Sequence, residues 1–194
     1  MLKSIPFDLG LWLNQPAKSR VEPDLLMIET KEETDFWRET HYGFTHSSGH
    51  ALLFEMPEQF TAAVTFSGQF VSKYEQAGLL LWESDTRWIK AGIEYADGRA
   101  NLAVVVTDGR SDWSMSPLEL ALTDCTIRMT VTESTVIIHA KMSGSWQILR
   151  VANFVASGAR VGPMACSPLS KGLKVTFSGF VAGPVPQEPL YISD

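Results

Sequence analysis

Apolar and polar side chains alternate with a period of two along much of this chain. Ile127, Met129 and Val131 point one way and Arg128, Thr130 and Thr132 the other, and Leu173, Val175 and Phe177 oppose Lys174, Thr176 and Ser178 in the same manner. Successive side chains of a strand leave opposite faces of its sheet, so each segment predicts a strand with one wet side. Further β-rich runs occur at Leu25–Thr30, Ala51–Met56, Phe60–Phe66, Ala77–Trp82, Trp88–Tyr95, Ala100–Thr107, Thr135–Ala140 and Trp146–Val151; the two alternating segments extend over Ile127–Thr132 and Leu173–Val181. Turn dipeptides separate them: Asp97-Gly98, Asp108-Gly109, Ser143-Gly144 and Ser157-Gly158. Gly, and to a lesser degree Asp or Asn, takes a positive φ at low steric cost, which tight hairpins need. Helical periodicity is absent. Ten or more short strands at this spacing predict an all-β fold, a sandwich or barrel.

Turn length fixes how the central strands face one another. A two-residue turn at Asp97-Gly98 sets Ala96 opposite Arg99, so paired positions sum to 195: Ile93, Ala91 and Ile89 meet Leu102, Val104 and Val106. That face is apolar and belongs to the core. A three-residue loop Ser84-Asp85-Thr86 sets Leu81, Leu79 and Ala77 beside Ile89, Ala91 and Ile93 and extends the same face. The opposite face then carries Gln76 beside Glu94, Trp82 beside Trp88, and Lys90 and Asn101 nearby. Trp113 has two possible positions: a three-residue turn at Asp108–Arg110 puts it on the polar face beside Val105, and a two-residue turn puts it inside.

Composition narrows the setting. With 45% hydrophobic and 20% charged residues, the 194-residue chain can bury a sizeable core. Sixteen Lys and Arg against twenty-two Asp and Glu give a net charge of −6, so nucleic acid and membrane surfaces are not expected partners. No run reaches the roughly 18 apolar residues of a spanning helix, and Pro6, Asp8 and Asn14 interrupt any signal-like start. A cytoplasmic location is expected. One domain over residues 1–194 is expected, with its core at about 8–182 and a Pro-spaced tail at 184–194. Cys125 and Cys166 stand alone in sequence, without a CxxC, and are expected to be buried free thiols.

Chemistry enters through the mixed face. Planar amides and carboxylates pair with vicinal hydroxyls, aromatic planes stack on sugar C–H faces, and Gly78 and Gly92 leave room beside them. Gln76, Trp88, Lys90 and Glu94 are therefore the candidate ligand-binding residues; the alternative is a solvated face with Glu94 paired to Lys90. His41, His46 and His50 cluster without metal-site spacing, and His139 reads as an outward residue of a strand. No metal or cofactor site is spelled out. Glu83 and Asp85 form a Glu-x-Asp pair, a poor match to the paired acids of a retaining glycosidase, and serine-nucleophile, P-loop and dinucleotide signatures are absent.

The strings LWLNQP, TDFWRETHYGF, EQAGLLLW, WIKAGIEYADG, LAVVVTDGRSDWS and RVGPMACSP, in this order, resemble the regulation-of-enolase family, a domain of unknown function. The resemblance spans about residues 8–182. It implies an all-β, two-sheet antiparallel jelly-roll sandwich of concanavalin-A-like lectin/glucanase architecture, with a concave face to which WIKAGIEY would contribute Trp88, Lys90 and Glu94. It delivers no catalytic residues. The expected function is a non-catalytic domain that binds a carbohydrate-like or small polar ligand on that face. The alternatives are a regulatory domain that acts on a metabolic enzyme, in keeping with the family name, and an unrecognised glycoside hydrolase or lyase.

Overall fold

The structure, a computed structural model, describes residues 1–118, 124–142 and 144–192. Among these residues the strands are, in chain order, β1 (Lys3–Ser4), β2 (Leu11–Leu13), β3 (Lys18–Glu22), β4 (Leu25–Glu29), β5 (Phe36–Arg38), β6 (Thr45–Ser47), β7 (His50–Glu55), β8 (Phe60–Gly68) and β9 (Gln76–Ser84). They continue as β10 (Arg87–Ala96), β11 (Arg99–Asp108), β12 (Arg110–Pro117), β13 (Cys125–Val131), β14 (Thr135–Lys141), β15 (Trp146–Asn153), β16 (Arg160–Cys166) and β17 (Lys174–Gly183). One turn of 3-10 helix, Phe7–Leu9, completes the set. No described helix is long and apolar enough to cross a membrane.

Two antiparallel sheets form a sandwich. One runs β15-β14-β13-β8-β17-β4-β3 with β1 beside β17, and the other runs β12-β11-β10-β9-β16-β7-β2. All ten expected strands are present, with ends shifted by a few residues. Between the sheets lies the main core, where Leu79, Leu81, Ile89, Ala91, Ile93, Leu102 and Val104 meet Val64, Phe66, Ile127, Met129, Ile138 and Phe177. Cys125 and Cys166 are buried free thiols, and burial pushes the Cys125 thiol up to about 12.

The central registers follow the turn arithmetic. Ile93 faces Leu102, Ala91 faces Val104 and Ile89 faces Val106 across β10 and β11. Leu81 faces Ile89, Leu79 faces Ala91 and Gln76 faces Glu94 across β9 and β10. The last of these turns is not a plain three-residue loop: Arg87 pairs with Ser84, and a bulge between Arg87 and Trp88 restores the expected register. Trp113 pairs with Val105 and so takes the polar-face position. Ser143, half of one expected turn, lies outside the described residues, as do residues 193 and 194 of the tail.

The far side of the β12–β2 sheet is not open to solvent at its middle. A small third sheet, β5 paired with β6, lies over it, and a second apolar cluster forms beneath from Phe36, Trp37, Leu80, Trp82, Trp88, Val105, Met164 and Cys166. His139 is buried as well, because its Nε2–H donates to the Leu190 carbonyl (3.1 Å) in the tail; its outward direction leads under covering chain.

Candidate functional site

Registry alone assembles the floor of the site. Gln76 on β9 lies opposite Glu94 on β10, Lys90 lies four residues before Glu94 on the same face, and Val105 on β11 connects Lys90 to Trp113 on β12. The walls come from connections. Asp35 precedes β5, Trp37 is within it, and the β5–β6 turn and β6 bring Tyr42, Phe44 and His46. Tyr74 enters from the loop before β9, and Leu169 from the segment after β16. Together these residues enclose a pocket of about 480 Å³. Its rings are in mutual contact: Trp37 meets Trp113 edge to face at 6.3 Å, and Tyr42 stacks on Phe44 at 5.3 Å.

The polar floor is almost entirely removed from water, with Gln76 at 3%, Lys90 at 3% and Glu94 at 5% exposure. A buried ammonium needs a counter-charge and acceptors. Lys90 Nζ finds both, donating to Asp35 Oδ1 (2.9 Å) and to the Phe36 carbonyl (2.8 Å). Burial, the largest single effect, pulls Lys90 down, but the charge of Asp35, with smaller contributions from Cys166, Glu94 and the hydrogen bond to Asp35, outweighs it and the net movement is upward. Gln76 Nε2 donates to the same Asp35 oxygen at 3.2 Å. Glu94 is treated differently. Its carboxylate receives no hydrogen bond from any described residue. Burial pushes it up to about 7, with the charge of Lys90 opposing and that of Asp35 adding to the rise. At the rim, Tyr42 and Tyr74 bring their hydroxyls within 3.4 Å; that contact, then burial and, less strongly, the charges of Tyr74 and Glu94 hold the Tyr42 phenol above its ordinary value.

Of the four candidate residues, Gln76, Lys90 and Glu94 line this one pocket. Trp88 does not. It shares their face but is fully buried behind the pocket, 5.9 Å from the Phe36 ring, which also covers Trp82 at 5.5 Å. Periodicity gave no sign of that cover, because β5 is three residues long. The alternative pairing of Lys90 with Glu94 is not made, since Asp35 takes the lysine. Asn101 is also withdrawn from the site: its Nδ2 donates to the carbonyls of Glu94, Ala96 and Arg99 and ties off the hairpin end.

Gly78 and Gly92 are required by the backbone rather than by a ligand. They face each other across β9 and β10, and a Cβ on Gly92 would lie 2.0 Å from the Ala77 carbonyl oxygen. The three clustered histidines separate. His50 is a buried structural residue, its Nδ1–H donating to the Asn14 carbonyl and its Nε2 accepting from the Lys31 N–H. His46 borders the pocket, and His41 packs against Tyr42. Among the described residues no three His, Cys, Asp or Glu side chains gather as metal ligands would. Glu83 is engaged structurally, by Arg87 Nε and the Ser157 N–H.

Asp35, Trp37, Tyr42 and Phe44 were missed as site residues although all four lie in the TDFWRETHYGF string. Four aromatic residues, counting Phe36, within nine polar-flanked positions are more than a surface loop needs, and that density was the available signal.

Comparison with known proteins places this geometry among relatives. A family model described as Protein of unknown function (DUF1349) matches residues 12–184. The Regulation of enolase protein 1 of Saccharomyces cerevisiae is 44% identical over 178 residues, which cover 91% of this chain and 90% of the yeast protein. A crystal structure of a functionally unknown protein from Saccharomyces cerevisiae superposes with a TM-score of 0.89 at 42% identity, over 92% of this chain and 98% of that one. Two more distant structures share the fold alone. One is a xylan beta-1,4-xylosidase from Bacillus halodurans, with a TM-score of 0.69 at 15% identity over 93% of this chain and 38% of that one. The other is the exoplasmic/lumenal domain of VIP36 in its Ca2+/Man3GlcNAc-bound form, with a TM-score of 0.55 at 10% identity over 95% and 89%. The sandwich is of the lectin/glucanase type expected from the sequence.

Proposed function

Because the chain belongs to the DUF1349 family, alongside a yeast protein named for regulation of enolase, we propose that it is a non-catalytic binding domain whose pocket takes a small, polar, carbohydrate-like ligand. One observation carries this reading: Glu94 is withdrawn from water into an aromatic-walled pocket and has no hydrogen-bond partner among the described residues. The carboxylate faces the pocket, and a ligand hydroxyl or amine there would donate the hydrogen bond that no described residue makes. Trp37, Tyr42 and Trp113 offer planes for the C–H faces of a ring, in the way that small-ligand sites combine apolar walls with a few polar anchors. One domain, acting in the cytoplasm, suits the two unpaired thiols.

A regulatory role toward a metabolic enzyme is the second reading, supported by the yeast relative's name. The two readings are compatible if ligand occupancy governs the partner.

A thermal-shift screen of monosaccharides and sugar derivatives tests the first reading. A ligand at about 100 times its Kd stabilises the native state by about 2.7 kcal/mol, enough to raise Tm by several degrees. The expected result is a compound that protects the wild type and fails to protect Glu94→Ala or Trp113→Ala. A screen in which nothing protects, or in which protection survives both substitutions, overturns it. Mixing the purified chain with enolase and measuring enolase turnover tests the second.

A further inference from the structure

The lining of the pocket is unbalanced in charge, with Glu33, Asp35 and Glu94 against Lys90. Lys90 spends its charge on Asp35 and the Phe36 carbonyl, and Gln76 spends an amide hydrogen on Asp35. What the lining keeps unmatched is negative charge: Lys90 is paired with Asp35, and Glu94 at the base has no ion-pair partner among the described residues. Glu33 adds a second carboxylate at the rim, and the one lysine on the lining is already neutralised. The walls are π faces, whose negative quadrupoles attract cations. Tyr74 already accepts one on its ring, with Lys73 Nζ 4.7 Å from the centroid.

Backbone conformation points to the same place. Of the non-glycine residues with positive φ, Glu33 (57°) and Tyr74 (68°) border the pocket, and His41 (62°) directly precedes Tyr42. Left-handed conformations in residues with a Cβ cost energy and persist where the surrounding structure holds them, commonly at sites that bind. Here they set the positions of an acid and of rings that form the wall.

Resting on the reading of this pocket as a ligand site, we infer that its ligand carries an ammonium group on a small polyhydroxylated body, in the manner of an amino sugar, with Glu94 as the counterion and Trp37, Tyr42 and Tyr74 as the surrounding rings. A neutral polyol can donate a hydrogen bond to Glu94 but leaves its charge unmatched; an ammonium supplies both the hydrogen bond and the counter-charge.

The probes are glucosamine, glucose and N-acetylglucosamine, which share a ring and differ at one substituent: an amine, a hydroxyl and a neutral amide. Isothermal titration at pH 7 with the full chain is expected to give glucosamine about tenfold tighter than either neutral sugar. Glu94→Gln keeps the shape and removes the charge; it is expected to bring the three sugars within about twofold of one another. If glucose binds wild type as well as glucosamine does, or if Glu94→Gln leaves the preference intact, the ammonium inference is overturned and the carbohydrate-pocket reading stands. If none of the three binds wild type, the carbohydrate pocket fails and the ammonium inference falls with it.

Discussion

Lys90 Nζ sits 2.9 Å from Asp35 Oδ1, and this contact fastens a segment 55 residues away in sequence to the floor of the second sheet. Asp35 Oδ1 also accepts the Phe36 N–H at 2.8 Å, so the acid orders the entry to β5 while neutralising the lysine. The two partners are unequally buried, at 4% side-chain exposure for Lys90 and 16% for Asp35. Removing one partner of a buried pair leaves the other charge uncompensated, which costs about 3–5 kcal/mol. Asp35→Ala is therefore expected to lose about that much in urea unfolding. Lys90→Met should lose less, about 2 kcal/mol or under, because the stem volume is retained and Asp35 can regain water. Equal losses would show that the asymmetry in burial has no energetic weight.

Glu94 makes stability depend on pH in a defined direction. Its carboxyl is raised from the ordinary 4.5 to about 7, chiefly by burial, so between those values the folded chain holds a proton that the unfolded chain has released. Stability is therefore fully present below about 4.5 and declines as pH rises through about 7. The ceiling on that decline is about 3 kcal/mol from the size of the shift. Glu94→Gln cannot ionise. It should match wild type near pH 4.5 and exceed it by up to about 3 kcal/mol at pH 8. Chemical denaturation at the two pH values measures the difference; an unchanged gap between the proteins would mean that Glu94 titrates normally.

Gly92 permits the close passage of β9 and β10 beneath the pocket. A Cβ there would meet the Ala77 carbonyl oxygen at 2.0 Å and the Gly78 Cα at 2.7 Å, both backbone atoms that cannot rotate away. Forced overpacking of this kind costs about 1–3 kcal/mol and sometimes more. Gly92→Ala is expected at the upper end of that range in urea melts, and a midpoint close to wild type would contradict the strand spacing.

The parts of the molecule legible in the sequence were those governed by local rules. Alternation assigned Ile89, Ala91 and Ile93 to the core, and two turn lengths set their partners, because a one-residue slip would have turned each apolar side chain to the wrong face. The same arithmetic brought Gln76 beside Glu94. What covers that face was not legible. Asp35 and Trp37 belong to strands and turns too short to show a period, and their meeting with Lys90 and Trp113 depends on how β5 and β6 fold back over the sheet. Trp88 was misplaced for that reason: register gives the face of a side chain, and only tertiary structure tells whether the face is occupied. The short strand β16, which joins β7 to β9, was missed because Gly162 and Pro163 interrupt its apolar run.

Trp88 and Trp113 offer a final contrast, since both lie on the same sheet face and both have an indole Nε1 buried without a partner. Trp113 borders the pocket, while Trp88 is sealed beneath Phe36. Phenylalanine at either position removes the unpaired donor and keeps most of the packing, so neither substitution should cost more than about 2 kcal/mol. Their effects on binding should differ. Trp113→Phe is expected to weaken any sugar that the wild type binds and to diminish the change in intrinsic fluorescence on titration, because the indole ring it removes lines the pocket. Trp88→Phe is expected to leave both the affinity and the fluorescence change near wild type. If instead Trp88→Phe abolishes binding without unfolding the protein, Phe36 must move aside for the ligand, and the closed arrangement of β5 and β6 would be the unliganded state of an opening site.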